Sequence, residues 1–285
     1  MAARGNGTMA DMELRRGAAT PAAARELQAL LNRVGAAIVE DGDFGPATER
    51  AVIYAQGLAR QPANGAADAA LRRWLAARPA PSPEIPASCL ALVVRHEVTS
   101  REHYERRLRR PVWPEGESGI TVGVGYDLRF HEAEAFRGLI RNDHVDLLKS
   151  VEGRRGSPEL AALVAGAEVP WRAAWRVFCA RSTPEFVARA RAAFPNFDAL
   201  PGLCRGALFS LVYNRGASMK DTDSRREMRE IRDLMSDGGR AALSRVPRRI
   251  RSMKRLWPGL AGLRRRRDDE ADLFERGLAQ QRQEA

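Results

Sequence analysis

Ser118-Gly119-Ile120-Thr121-Val122-Gly123-Val124-Gly125-Tyr126-Asp127 alternates as a strand does. Successive side chains of a strand point to opposite faces, which puts Ile120, Val122, Val124 and Tyr126 on one side and Thr121, Gly123, Gly125 and Asp127 on the other. The second face is small and polar, so a ligand can lie against it. Fully extended, the segment would hold Thr121 and Asp127 about 20 Å apart, too far to serve one bond. Gly123 and Gly125 are the residues that permit a bend and bring the two together. The same glycines also fit a plain hairpin or bulge, with Asp127 capping the next stretch of chain. A dinucleotide loop is a weaker reading, because the third glycine of that pattern is missing.

Upstream, Leu90, Val93, Val94 and Glu97 fall on one side of a helix for which Ser88 is the expected cap. Glu97 thus shares the core-facing stripe and stands near the helix end, before Thr99-Ser100. Burial and a helix C-terminus both disfavour the charged form of a carboxyl, a setting that suits a general acid. A surface ion pair with Arg95 or Arg101 is the plainer reading of the same residue. Downstream, Trp171, Ala174, Trp175 and Phe178 mark an amphipathic helix, and Phe194-Pro195-Asn196-Phe197 a loop. Leu208 to Val212 reads as a buried helix ending at Asn214-Arg215-Gly216. Gly216 suits the C-cap, and Asn214 and Arg215 either face a cleft or tie down the loop. Met253 and Trp257 are expected in the core.

Residues 1–20 are rich in Ala, Gly and Arg without periodicity and are expected to form a frayed tail. From Pro21 the pattern turns helical: Leu27, Leu30, Leu31 and Val34, then the turn Asp41-Gly42-Asp43-Phe44-Gly45-Pro46-Ala47-Thr48, then Ala51, Val52, Ala55 and Leu58, then a third helix near Asp68 to Leu75. Residues 21–78 therefore make a small three-helix bundle. Four prolines between Pro79 and Pro86 exclude regular helix, so 79–87 is read as a linker and 88–285 as a second domain.

The chain of 285 residues has room for one good core and a small companion domain, and 44% apolar with 29% charged residues describes an ordinary globular protein. No apolar run is long enough to span a membrane. The N-terminus lacks the apolar block of a secretory signal, so the expectation is synthesis in the cytoplasm without a signal peptide. Cys89, Cys179 and Cys204, odd in number and flanked by apolar residues, read as reduced core packing. Between Arg225 and Arg267, fifteen Arg or Lys face four acids, a surplus equal to the whole net charge of +11. A basic face there would attract anionic polymers such as cell wall, lipopolysaccharide or nucleic acid; solvated helix faces are the alternative.

The 21–78 segment resembles the peptidoglycan-binding domain attached to many cell-wall hydrolases. Glu26-Leu27-Gln28 with Leu31, the Asp41 to Thr48 loop, Ala51-Val52 with Gln56, and Gly57-Leu58 carry the likeness, with Ala55 where that family usually has Phe. The resemblance implies Asp43, Phe44, Thr48 and Gln56 as wall-binding residues. Glu97, Thr121-Val122-Gly123-Val124-Gly125-Tyr126-Asp127 and Ser210-Leu211-Val212-Tyr213-Asn214-Arg215-Gly216 resemble the pesticin-like and phage-type lysozymes, from about Cys89 to Leu278. The Thr-then-Asp order fits the pesticin-like branch, which favours Asp127 over Glu115 or Glu117. This resemblance implies Glu97 as the acid that protonates a glycosidic oxygen and Thr121 with Asp127 as holders of a water. Ser118, Gly123, Gly125, Tyr126, Asn214 and Arg215 are the implied substrate-binding positions.

The expected fold is mainly α (α+β): a three-helix bundle and a lysozyme-like, mostly helical domain with one small antiparallel sheet. The expected function is that of a monomeric, cofactor-free muramidase of the endolysin type. It would cleave the β-1,4 linkage between N-acetylmuramic acid and N-acetylglucosamine, reaching the wall after holin-type release or specialised secretion. The anionic polymers named above are further expected partners. A zinc amidase is disfavoured, since His96, His103, His131 and His144 make no H-E-x-x-H, position 100 being Ser. Ser118 lacks the frame of a serine hydrolase. A non-catalytic wall-binding or nucleic-acid-binding protein using the basic segment is the alternative.

Overall fold

The computed structural model describes residues 13–284, and the chain divides into two compact units, one ending at Pro81 and the other starting at Ser82. Residues 1–12 of the expected tail lie outside the described residues. Residues 13–20 do not behave as a tail: Leu14 is buried and exchanges both backbone hydrogen bonds with Ala67, at 3.0 and 2.8 Å. One apolar side chain with a backbone partner is enough to pin the segment to the bundle.

In the first unit, helices α1 (Pro21–Arg33), α2 (Pro46–Ala59) and α3 (Ala69–Ala76) start where local chemistry puts them. Pro21 and Pro46 occupy first-turn positions, where a missing N–H costs nothing. The Thr20 hydroxyl accepts from Ala23 N, and the Asp68 carboxylate from Leu71 N at 2.7 Å. Leu27, Leu31, Phe44, Val52, Leu71 and Leu75 close the core. Two buried amides hold the loops between the helices. Gln28 donates to Asp41 Oδ1 (2.7 Å), Asp43 O (3.0 Å) and Thr48 Oγ1 (3.0 Å), and accepts from Gly42 N (2.9 Å). Gln56 does the same for the second loop, donating to Asn64 Oδ1 and Ala66 O and accepting from Gly65 N.

The second unit is mainly helical with a two-stranded antiparallel sheet. Helix α4 (Ala87–Val98) begins after Pro86, so Ser88 lies inside the helix and does not cap it. Ile85, within the proline-rich stretch, is buried, and Ser82 Oγ accepts from Glu84 N and Ile85 N. The helix Gly202–Arg215 and the C-terminal helix Ala261–Glu284 pack along each other, and α4 crosses the former. Glycine makes that crossing possible: a Cβ on Gly206 would stand 2.2 Å from Cys89 Sγ. All three cysteines are free. The expected amphipathic helix covers Trp171–Val177, with Trp171 edge-on to Tyr104 at 5.3 Å.

Strands β1 (Thr121–Val122) and β2 (Tyr126–Asp127) pair Thr121 with Asp127 and Val122 with Tyr126. The chain turns through Gly123 and Gly125, both in the left-handed region at φ 61° and 68°. Among the described residues no helix is long and apolar enough to cross a membrane. Replacing Gln28 by Ala leaves the buried Gly42 N without its acceptor and takes a donor from Asp41 Oδ1, Asp43 O and Thr48 Oγ1, which keep other partners, and is expected to destabilise the first unit by about 2 kcal/mol, within the roughly 1–3 kcal/mol of a buried group left without a partner. Differential scanning calorimetry, following the transition of that unit, measures it.

Candidate functional site

Glu97 stands in the last turn of α4, its side chain about a quarter exposed. What sets its carboxylate is Arg266 of the C-terminal helix, whose Nη1 donates to Glu97 Oε1 at 2.5 Å. Arg266 is itself buried, 2% exposed, and is held on every side. Its Nε donates to Glu270 Oε1 (3.2 Å), and its Nη2 to Ser210 O (3.1 Å). Ser210 Oγ donates to Glu270 Oε1 at 2.7 Å, and Arg267 Nη2 donates to the same oxygen at 2.8 Å. Two guanidiniums and two carboxylates thus balance in the core, and only Glu97 reaches the surface.

The other oxygen of Glu97 faces the hairpin. A Cβ placed on Gly125 would lie 3.8 Å from Glu97 Oε2 and 3.5 Å from the Tyr213 hydroxyl. Tyr213 donates to Val124 O at 2.5 Å, fastening the glycine turn to the Gly202–Arg215 helix. Burial first, then the nearby Glu97, push the Tyr213 hydroxyl far above its usual pKa, so it stays a proton donor to that carbonyl. A cavity of about 810 Å³ opens at Glu97, walled by Asn214, Leu260, Leu263, Arg265 and Asp269 among others. His96, on the same helix, bonds Asp269 at 2.9 Å.

Thr121 and Asp127 are brought together, as the bend at the glycines allows, but they do not line this cavity. Thr121 exchanges both backbone bonds with Val112 on its other side, so Thr121 and Asp127 form a non-hydrogen-bonded pair, the closer kind, with Cβ atoms about 5 Å apart. Thr121 stands two residues before Gly123 and Asp127 two residues after Gly125, each about 7 Å along its strand from the turn. Asp127 has work of its own: Gly119 N reaches both its oxygens (3.0 and 3.1 Å), and Arg129 N donates to Oδ1 at 2.8 Å. A carboxylate offers about four acceptor positions, so one on Oδ2 remains.

Several expected contacts become structural ones. Tyr126 is buried, its hydroxyl donates to Glu132 O at 2.9 Å, and its ring packs on His131 and Phe136. Burial, with Glu185 adding to it, raises its pKa to about 12. Ser118 contributes its carbonyl, which accepts from Gly156 N at 2.9 Å. Gly123 lies over Ala174 and Phe136. Arg215 ties down the following loop through Ser224 O, lies over the Trp257 ring at 4.8 Å, and is pulled to a pKa of about 10 by burial, then by Arg225 and Arg267. Of the expected residues, Glu97 and Asn214 share the cavity, with Gly125 beside them.

In the first unit, Phe44, Thr48 and Gln56 are buried at 5%, 2% and 3% exposure, and Asp43 serves the loop through its backbone, so the first three are framework and not ligand contacts. The basic segment also changes meaning. Arg251 pairs with Asp272 and Glu275, Lys254 with Asp268, Arg255 with Asp223 and the buried Glu227, and Arg229 with Asp221. Most of these partners lie just outside 225–267, so the segment is in large part ion-paired and not a wholly free basic face.

Sequence reasoning missed Arg266 and Glu270. Their spacing of four on one helix was the available signal. Residues 20–75 match the family model described as a putative peptidoglycan binding domain, which supports association of the first unit with the cell wall. No curated protein matches the chain. Two variants test the site's construction. Gly119→Ala would put a Cβ 2.5 Å from Asp127 Oδ1 and 2.7 Å from Arg129 N, and is expected to lose about 2 kcal/mol, within the usual overpacking range. Glu270→Ala, which leaves two buried guanidiniums short of a carboxylate, is expected to lose about 4 kcal/mol. Urea denaturation followed by tryptophan fluorescence reads both.

Proposed function

We propose that the second unit is a muramidase, a glycoside hydrolase that cuts the N-acetylmuramic acid to N-acetylglucosamine linkage, and that the first unit brings it to peptidoglycan. The observation that carries the reading is Glu97. It is a carboxylate with one oxygen fixed by a buried arginine and the other facing a side-chain-free glycine turn, at the mouth of a cavity large enough for a sugar. In this reading Glu97 Oε2 carries the proton to the glycosidic oxygen as the bond breaks. Arg266 positions the carboxyl so that Oε2, and not Oε1, meets the substrate.

Thr121 and Asp127 supply the water in this proposal. Asp127 keeps one acceptor position on Oδ2, and the Thr121 hydroxyl is its cross-strand neighbour, so a water between them can be oriented for attack on the anomeric carbon. The hairpin's backbone bonds to Gly119 and Arg129 hold Asp127 in place for it. Asn214 is placed to donate a hydrogen bond to a substrate acetamide or hydroxyl.

A non-catalytic, charge-driven binder is the second reading, and the ion pairing of the 225–267 segment speaks against it. The two differ in what Glu97→Gln does. For a muramidase, this isosteric change is expected to cut release of reducing sugars from purified peptidoglycan by about 10²–10⁴-fold, the usual worth of a general acid. Co-sedimentation with the wall should persist. Asp127→Asn is expected to lower turnover in the same assay. Mass spectrometry of the digest should show glycan and not peptide cleavage; near-wild-type turnover by the Glu97 variant would remove the reading.

A further inference from the structure

The residues expected to touch peptidoglycan in the first unit are largely buried, which leaves open where that unit binds. A second cavity, of about 350 Å³, lies between residues 13–16 and the 64–66 turn, with Glu49 of α2 at its side. That volume is within the range of small-ligand sites. Its walls are rigid. The backbone bridge of Leu14 with Ala67 clamps one side to the other, and Gln56 ties Asn64, Gly65 and Ala66 from beneath. The Gly65 turn, at φ 77°, is closed against Glu49, whose Cγ would lie 3.0 Å from a Cβ there.

Charges of both signs stand around this cavity: Arg15 and Arg16 from one segment, Glu13 beside them, and Glu49 from the helix. Among the described residues none of the four is in an ion pair, with one another or with anything else. Asn64 spends its oxygen on Gln56 Nε2 and Ala66 N, which leaves its amide N–H groups for a ligand. Among the described residues, no aromatic ring, the usual platform for a sugar face, lines the cavity.

We propose that the first unit grips peptidoglycan here, and that it reads the peptide stem and not the glycan. The guanidiniums of Arg15 and Arg16 take a stem carboxylate, and Glu49 takes the free amine of the stem's diamino acid. The stem is the part of the polymer that carries charges of both signs on one short, flexible chain, whereas the glycan presents hydroxyls and acetamides. Arginine forks suit carboxylates, and a carboxylate suits an ammonium. The inference rests on the peptidoglycan-binding assignment of residues 20–75 and is independent of whether the second unit cleaves glycan.

The full chain, its Arg15→Gln/Arg16→Gln double variant and its Glu49→Gln variant would each be titrated calorimetrically with two probes. One is a free stem tetrapeptide containing meso-diaminopimelate, and the other is peptide-free glycan strands. Sedimentation with intact sacculi accompanies the titrations. The wild-type chain is expected to bind the peptide, with affinity falling about fivefold to tenfold in the double variant, the scale of a lost charge-assisted contact at an exposed site. Glu49→Gln should weaken binding of the free-amine peptide but not of its N-acetylated form. All the altered side chains are polar and at the surface or its edge, and unchanged thermal transitions would show the variants folded. Unchanged affinity in both variants, or binding of peptide-free strands in place of the peptide, would overturn the inference while wall binding stands. A wild-type chain that fails to sediment with sacculi would overturn the wall-binding reading together with it.

Discussion

The second unit is organised around one buried guanidinium. Arg266 joins the end of α4, the helix Gly202–Arg215 and the C-terminal helix through Glu97, Ser210 and Glu270. Taking charges out of water costs several kcal/mol per ion, and only good geometry with satisfied hydrogen bonds offsets it. Here a second guanidinium and a serine hydroxyl converge on the same Glu270 oxygen, which sets opposite charges within a few ångströms of each other, while Arg267 Nε and Nη1 and Glu270 Oε2 stay buried without a hydrogen-bond partner among the described residues. A network of this kind adds little net stability beyond an apolar core but tolerates few alternative arrangements. Its effect is to fix one exposed carboxylate, Glu97, in one orientation.

The hairpin meets that carboxylate from the other side, and glycines decide how closely. At Gly125 any side chain would occupy the space between Tyr213 and Glu97; at Gly119 it would collide with the Asp127 carboxylate. Tyr213 links the two features, since its hydroxyl holds the turn by Val124 O while its ring lies among Phe178, Phe186 and Phe209. The strand pairing then carries Thr121 and Asp127 side by side. A two-stranded sheet this short is marginal alone, and it stands because Val122, Val124 and Tyr126 are buried beneath it.

Alternation, helix starts and glycine punctuation are local, and these features were legible in the sequence: the buried face of 120–126, the start of α2 at Pro46, the Gly216 cap and the mainly helical class with one small sheet. Glu97 stood out for the same reason. What escaped depends on partners far along the chain. The cap that Asp127 places on the next residues, through Arg129 N, is local and was legible, but nothing near Asp127 announces that Gly119 will donate its backbone N–H as well. Tyr126 shares the apolar face by periodicity, yet its implied ligand role came from resemblance, and burial overrules it. The surplus of the 225–267 segment was real as a count, but a window ending at Arg267 excludes Asp268, Asp272 and Glu275, which pair with Lys254 and Arg251 and offset part of it.

The two units handle polar side chains in opposite ways, and this bears on where recognition can lie. In the first, Gln28, Thr48 and Gln56 are spent on backbone groups of loops that have no regular structure, because a bundle this small cannot leave buried donors unmet. Such residues define the fold and are spent before any ligand arrives, so recognition falls to exposed groups arranged around them. In the second, a buried polar network ends in a group that does reach solvent. Under the proposed muramidase reading, a chain built this way keeps attachment and chemistry on different residues, and linking the two raises the local concentration of the second unit along peptidoglycan without a new contact at Glu97.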